Sequence, residues 1–246
     1  MLEVGPGPGG LTRALLAAGA ARVIAIERDR RCIAALSELA AAAPGRLELI
    51  EADALRVDVA DLGVDHIVAI SNLPYNIGTP LLLKWLDRVA LFDQLVLMFQ
   101  REVAERLAAA PGSGAYGRPS VLVQWLCEVE IVMHLPGGAF VPPPQVASSL
   151  VRLTPRSQPL APADKRSLER VLAAAFGQRR KMLRVSLRSL RIDAAELLAA
   201  AEVPPTARAE EIDVLGFCRL ARCYGRLSEA RQHAQMAGSE PGPPDT

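Results

Sequence analysis

Apolar residues follow two rhythms over the first hundred positions: short runs rich in Val, Ile and Leu, and longer stretches with apolar residues three or four apart. The short runs, Leu2 to Val4, Arg22 to Ile26, Leu47 to Ile50, His66 to Ile70 and Leu95 to Phe99, predict buried strands. The longer stretches predict helices. Leu11, Leu15 and Ala18 share one face, Cys32, Ile33, Leu36 and Leu39 share another, and a third helix is expected from Thr79 to about Val89. Strand and helix alternating in this way imply an α/β fold with a parallel, doubly wound sheet. Two later strands, Glu128 to His134 and Val146 to Leu153, have no helix between them and are expected to pair antiparallel.

The rhythm then changes. Pro155 to Pro162 reads as a linker, with three prolines in eight residues. It divides an α/β domain at 1–154 from a helical domain at 164–226, with the linker at 155–163. In the helical part Leu168, Val171, Leu172, Ala175 and Phe176 form one apolar stripe, and Leu183, Leu187 and Leu190 form another. Positions 227–246, ending in Pro241-Gly242-Pro243-Pro244, read as a disordered tail.

Composition narrows the class. With 246 residues, half of them apolar, the chain can bury one substantial core and a smaller second one. No apolar run approaches the roughly 20 residues a membrane span needs, so a soluble, cytoplasmic protein is expected. Cys32, Cys127, Cys218 and Cys223 show no metal-binding or Cys-x-x-Cys spacing, so reduced thiols and no metal are expected. His66, His134 and His233 show no catalytic arrangement. Net charge is only +1, yet Arg156 to Arg191 holds ten basic and two acidic residues. Within it Arg180, Arg184, Arg188 and Arg191 recur every three or four positions, which predicts one helix face opposite the leucines, widened by Arg179 and Lys181. A charge stripe is ordinarily a solvated face, but so few compensating acids favour phosphate contact.

Two turns carry the candidate chemistry. Gly5-Pro6-Gly7-Pro8-Gly9-Gly10 lies between a strand and a helix, where glycines let backbone N–H groups approach a ligand. Glu27 and Asp53 follow the second and third strands, suited to accept from ribose hydroxyls and an adenine amino group. Glu3 is placed to orient the turn or to receive a ligand ammonium. That set fits either an NAD or an S-adenosylmethionine enzyme, and a ligand-free turn is the plain alternative. The second turn, Asn72-Leu73-Pro74-Tyr75, decides between them: an amide acceptor, a stiff proline and an aromatic face suit the amino group of a flat heterocycle. Nothing downstream suits hydride transfer. Phe140, before three prolines, reads as a presented ring rather than a core anchor.

Together these motifs, with Gln100 to Arg106, Ala115-Tyr116-Gly117-Arg118, Phe140 to Val146 and Phe176-Gly177-Gln178-Arg179-Arg180-Lys181, resemble the rRNA adenine N6-dimethyltransferases, and the last favours their small-subunit branch. The similarity runs from Met1 to about Arg226. It implies a Rossmann-like S-adenosylmethionine-dependent methyltransferase sheet with a small all-α C-terminal domain, and as acceptor two adjacent adenosines in a hairpin near the 3′ end of 16S rRNA, within the immature small subunit. It implies cofactor contacts from Gly5, Glu27, Asp53 and Asn72 and a pocket for the target adenine from Asn72, Tyr75 and Phe140, while the residues themselves add Glu3 and Gly7 to the cofactor set, Leu73 and Pro74 to the acceptor site, and Arg179, Arg180, Lys181, Arg184 and Arg188 as RNA contacts. A monomer is expected. Large-subunit relatives share the first two motifs, while a DNA adenine methyltransferase is disfavoured by Leu73, where those enzymes usually carry proline. Family members also carry a preceding segment with a Gln-Asn-Phe-Leu-type motif over the cofactor, not found here, so a non-catalytic assembly factor is the rival expectation.

Overall fold

The computed structural model describes residues 1–140 and 146–237, with side chains described as far as Arg231. The chain divides into two compact units, Met1–Ala108 with Leu126–Gln158, and Ala109–Trp125 with Pro159 onward.

The first unit is built on one seven-stranded sheet. Its strands are β1 (Leu2–Val4), β2 (Val23–Glu27), β3 (Leu47–Glu51), β4 (Ile67–Asn72), β5 (Phe92–Gln100), β6 (Cys127–Leu135) and β7 (Ser148–Pro155). Their order is β3-β2-β1-β4-β5-β7-β6. The first five run parallel, and β7 lies antiparallel between β5 and β6, as the missing helix between the last two strands predicted. Four helices connect the strands: α1 (Gly10–Ala17), α2 (Arg30–Ala42), α3 (Tyr75–Trp85) and α4 (Arg101–Leu107). Leu15 and Leu16 of α1 pack with Val23, Ala25 and Leu47, and Leu39 and Ala40 of α2 join the same cluster. Val23 and Ala25 alternate onto one face because successive strand residues point to opposite sides. Strand order reverses between β1 and β4, the place where open α/β sheets leave a crevice at their carboxyl ends.

Two boundaries differ from the sequence expectation in ways that matter. The fourth strand starts one residue later than His66, whose φ of 59° is left-handed, and runs on to Asn72, paired with Met98. The following helix begins at Tyr75 rather than Thr79, with Pro74 as its N-cap and Pro80 inside it. Proline at the sixth helical residue forfeits one N–H bond, and the buried Leu81, Leu82 and Trp85 compensate by packing. The helices α4 and, in the second unit, α5 (Arg118–Leu126) have no counterpart in the expected pattern.

The second unit is helical: α5, α6 (Lys165–Gly177), α7 (Leu183–Ser186), α8 (Ala194–Ala200) and α9 (Val214–Ala237). Asp164 and Asp193 cap α6 and α8 by accepting from Ser167 N and Ala195 N at 2.8 Å each. Leu168, Val171, Leu172, Leu183, Leu187 and Phe217 are buried, and the Phe176 ring lies 6.2 Å from Tyr116 and 5.5 Å from Phe217. The sequence boundary at the proline-rich linker therefore misses Ala109–Trp125. That stretch belongs with the second unit, where Gly112 N donates to Glu210 O at 2.7 Å and Tyr116 sits beside Phe176.

The tail expectation is corrected too, because α9 continues to Ala237, while positions 238–246 lie outside the described residues. Among the described residues no helix is long and apolar enough to cross a membrane, and all four cysteines are unpaired thiols.

Candidate active site

The glycine turn is shaped by backbone geometry that side chains resist. Gly5, Gly7 and Gly9 have φ of 68°, 57° and 88°, in the left-handed region glycine tolerates. At Gly5 there is a second constraint: a Cβ there would sit 3.2 Å from Pro74 Cδ. The glycine turn after β1 and the Asn72–Tyr75 turn after β4 are thus packed against each other across the switch point. Ser71, buried on β4, strengthens the join by accepting from Val4 N at 2.8 Å.

Carboxylates close the other side. Glu27, the last residue of β2, is 8% exposed and accepts from three backbone N–H groups, Gly7 at 3.1 Å, Arg28 at 2.8 Å and Asp29 at 2.9 Å. Asp53, just past β3, accepts from Leu55 N at 3.0 Å. Lys84 of α3 steadies that loop by donating from Nζ to Leu55 O at 2.8 Å and Val57 O at 2.7 Å. Between these groups lies a cleft of about 290 Å³, lined by Gly5, Gly7, Glu27, Asp53, Pro74 and Asn76 among others. Val4, Ile26, Ala54 and Ile77 give it apolar walls. Carboxylates at two strand ends, a glycine turn and apolar walls fit a nucleoside with hydroxyl and amino groups to satisfy.

The Asn72–Tyr75 turn stands next to this cleft, with Pro74 in its lining. Asn72 ends β4 with its side chain exposed, and its amide has no side-chain partner among the described residues. Leu73 is buried, and Pro74 O starts α3 by accepting from Ile77 N at 3.0 Å and Gly78 N at 3.1 Å. Tyr75 is 39% exposed, but its hydroxyl is tied to the buried Ser148 Oγ at 2.7 Å.

The profile of the family described as ribosomal RNA adenine dimethylase matches residues 1–225. The chain belongs to the ribosomal RNA adenine dimethylase family. It is 62% identical to the ribosomal RNA small subunit methyltransferase A of Rhodospirillum rubrum, over 90% of this chain and 77% of the relative. It is 60% identical to the protein of the same name from Paramagnetospirillum magneticum, over 95% and 83%. Among solved structures, a dimethyladenosine transferase from Plasmodium falciparum superposes with a TM-score of 0.77 at 27% identity, covering 92% of this chain and 90% of that one. The 23S rRNA methyltransferase ErmE superposes with a TM-score of 0.65, also at 27% identity, covering 91% and 90%. The fold is therefore the Rossmann-like methyltransferase sheet, with helices following it at the C-terminal end.

Not every expected site residue faces the cleft. Gly5, Gly7, Glu27 and Asp53 do; Asn72 stands beside it rather than in its lining. Glu3 turns away altogether. It is 1% exposed, and Thr12 Oγ1 donates to its Oε2 at 2.7 Å beneath the glycine turn, so a ligand ammonium does not reach it. Burial pushes the Glu3 carboxyl up to about 7, against the smaller opposing effect of the Thr12 hydroxyl. An unfolded glutamate titrates near 4.5, so between pH 4.5 and 7 the folded chain keeps a proton that the unfolded chain has lost. Stability is then greatest below the unfolded value and falls as pH rises through 7. Glu3→Gln is expected to stabilise the protein by about 3 kcal/mol at pH 8 and to be near neutral at pH 5, read by urea denaturation at the two pH values. An equal effect at both would contradict a buried, titrating carboxyl.

Phe140 is half-buried at the end of a 3₁₀ turn, and among the described residues no ring contact joins it to Tyr75. The rest of its motif, positions 141–145, lies outside the described residues. Ser71, Thr12, Lys84, Asn76 and Ser148 went unnoticed in the sequence. Small polar residues next to motif positions were the available signal for Ser71 and Ser148; Lys84 had none beyond being a lysine on an apolar helix face.

The basic region is rearranged more than the cleft. The expected continuous arginine helix is interrupted: α7 covers only Leu183–Ser186, a 3₁₀ turn follows over Leu187–Leu190, and Arg191 is left-handed at φ 58°. Arg180 and Lys181 lie in the preceding turn, exposed, while Arg184 and Arg188 are exposed opposite the buried Leu183 and Leu187. Arg179 has a structural task instead. It pairs with Glu210 at 2.8 Å and donates to Gly114 O at 2.7 Å, tying its own turn to the Ala109–Trp125 stretch.

Proposed function

We propose that this protein transfers methyl groups from S-adenosylmethionine to N6 of two adjacent adenosines in a hairpin near the 3′ end of 16S rRNA, acting on the immature small subunit. The observation that carries the reading is the packing of Gly5 against Pro74. It puts a nucleoside-sized cleft and an exposed amide acceptor side by side at the switch point of the sheet. Family membership supports rRNA adenine methylation as the reaction.

When bound, S-adenosylmethionine supplies an electrophilic methyl group. Gly5, Gly7, Glu27 and Asp53 are the residues fitted to hold it, with Glu27 and Asp53 accepting from hydroxyl and amino groups. The protein's own part is on the acceptor side. Adenine N6 is a weak nucleophile because its lone pair is delocalised into the ring. The Asn72 side-chain oxygen and the Leu73 carbonyl would accept the two N6 hydrogens and favour a pyramidal nitrogen with a localised lone pair. Fixed dipoles and proximity would then supply most of the rate, and the proton released from N6 with each methyl group gained would pass to water once the nitrogen is cationic, with no dedicated general base. The exposed Tyr75 ring offers a stacking surface for a base extruded from its helix, and Phe140 is assigned the same task on the β6–β7 connection.

The test is transfer of labelled methyl groups to small-subunit particles lacking the modification, with the product mapped by nuclease digestion and mass spectrometry. Dimethyladenosine at two neighbouring positions is expected. Particle binding without transfer would favour an assembly factor instead.

The exposed Arg180, Lys181, Arg184 and Arg188 are assigned to phosphate contacts. Reversing Arg184 and Arg188 to glutamate is expected to weaken particle binding and to flatten the dependence of log K on log salt by about 2, one per lost contact. An unchanged slope would return them to an ordinary solvated face.

A further inference from the structure

We propose that Ser148 is a positioning residue for methyl transfer: its buried hydroxyl, 2.7 Å from Tyr75 Oη, holds the Tyr75 ring as a preformed platform for the target base. The inference rests on the reading of Tyr75 as the stacking surface.

Tyr75 and Ser148 come from opposite sides of β5. Tyr75 opens α3 three residues after Asn72, whose strand β4 pairs with one edge of β5. Ser148 opens β7 on the other edge, where it is paired to Gln100 of β5 and Leu135 of β6 and is fully buried. The hydrogen bond therefore reaches over the carboxyl end of β5. At its other end the ring hangs from a seated backbone, because Gly78 lets α3 approach β5 so closely that a Cβ there would lie 3.2 Å from the Phe99 ring. Held at backbone and hydroxyl, the ring keeps a substantial exposed area without choosing among rotamers when a base arrives. Preorganisation of this kind lowers the ordering cost of the reactive complex. The same bond links the Asn72–Tyr75 turn to the start of β7.

Ser148→Ala removes one hydrogen bond and no packed bulk, and Tyr75 is 39% exposed, so the fold is expected to survive. Single-turnover methylation of unmodified small-subunit particles at saturating S-adenosylmethionine separates rate from active fraction. Ser148→Ala and Tyr75→Phe are each expected to slow the rate about fivefold to tenfold with full amplitude, and the double variant to be no slower than either single one. Ser148→Thr, which restores a hydroxyl, is expected to recover most of the rate. Wild-type speed in Ser148→Ala, multiplied losses in the double variant, or lost amplitude at an unchanged rate would overturn the proposal. Tyr75→Ala separates it from the parent reading. A full-rate Tyr75→Ala removes the platform itself, whereas an inactive Tyr75→Ala beside a full-rate Ser148→Ala removes only the role of Ser148.

Discussion

Asn72→Ala is expected to slow methyl transfer about 10²- to 10³-fold at saturating S-adenosylmethionine, the loss typical of deleting one preorganised hydrogen-bonding group from a reacting centre. Asn72 ends β4, where pairing with Met98 fixes its backbone, and among the described residues its side chain has no partner whose loss would disturb the fold. An exposed strand-end substitution of this kind changes stability by only about ±0.5 kcal/mol. The expected result is thus a folded protein, with unchanged particle binding and a collapsed rate. Circular dichroism, particle co-sedimentation and single-turnover kinetics read the three quantities separately. A rate within twofold of the wild type would sink the proposed role of Asn72 in localising the N6 lone pair.

Glu27→Ala is expected to act on the other half of the site. Its carboxylate gathers three backbone N–H groups, one from the glycine turn and two from the entry to α2, before any ligand is considered. Carboxylate acceptors of this type contribute more than neutral ones, and an alanine leaves three donors to find water beside a loosened turn. S-adenosylmethionine affinity should fall about 100-fold, equivalent to about 3 kcal/mol, as measured by calorimetry or equilibrium dialysis. Because the defect is in binding, much of the rate should return at high cofactor concentration, in contrast to Asn72→Ala. Unchanged affinity would show that Glu27 only builds the turn.

Much of this site was legible in one dimension because its chemistry is local. Gly5, Gly7 and Gly9 need positive φ, a demand that glycine alone meets freely, so the turn is written in consecutive letters. Glu27 ends one strand and Asp53 follows another, and short apolar runs mark strands well enough to count. Errors arose where tertiary packing overrode the local signal. A helix is expected from Thr79, but α3 begins at Tyr75 and runs through Pro80, with Leu81 and Leu82 just beyond it and Trp85 buried. The arginine spacing suggested one helix from Arg180 to Arg191, yet the burial of Leu183 and Leu187 is met by a short helix and a 3₁₀ turn. Glu3 looked like a ligand group because it precedes the turn, while its side chain points into the core toward Thr12.

The sequence by itself determined the strand and helix alternation, the two chemical turns, the carboxylates at strand ends and the family, since each depends on residues near one another in the chain. Only the tertiary structure decided that Gly5 bears on Pro74, that Tyr75 is tied to Ser148 across β5, that Lys84 steadies the loop after Asp53, and that Ala109–Trp125 belongs with the helical unit. Each of these pairings joins residues about 30 or more positions apart. Their partners are chosen by sheet order and close packing, which no local periodicity encodes.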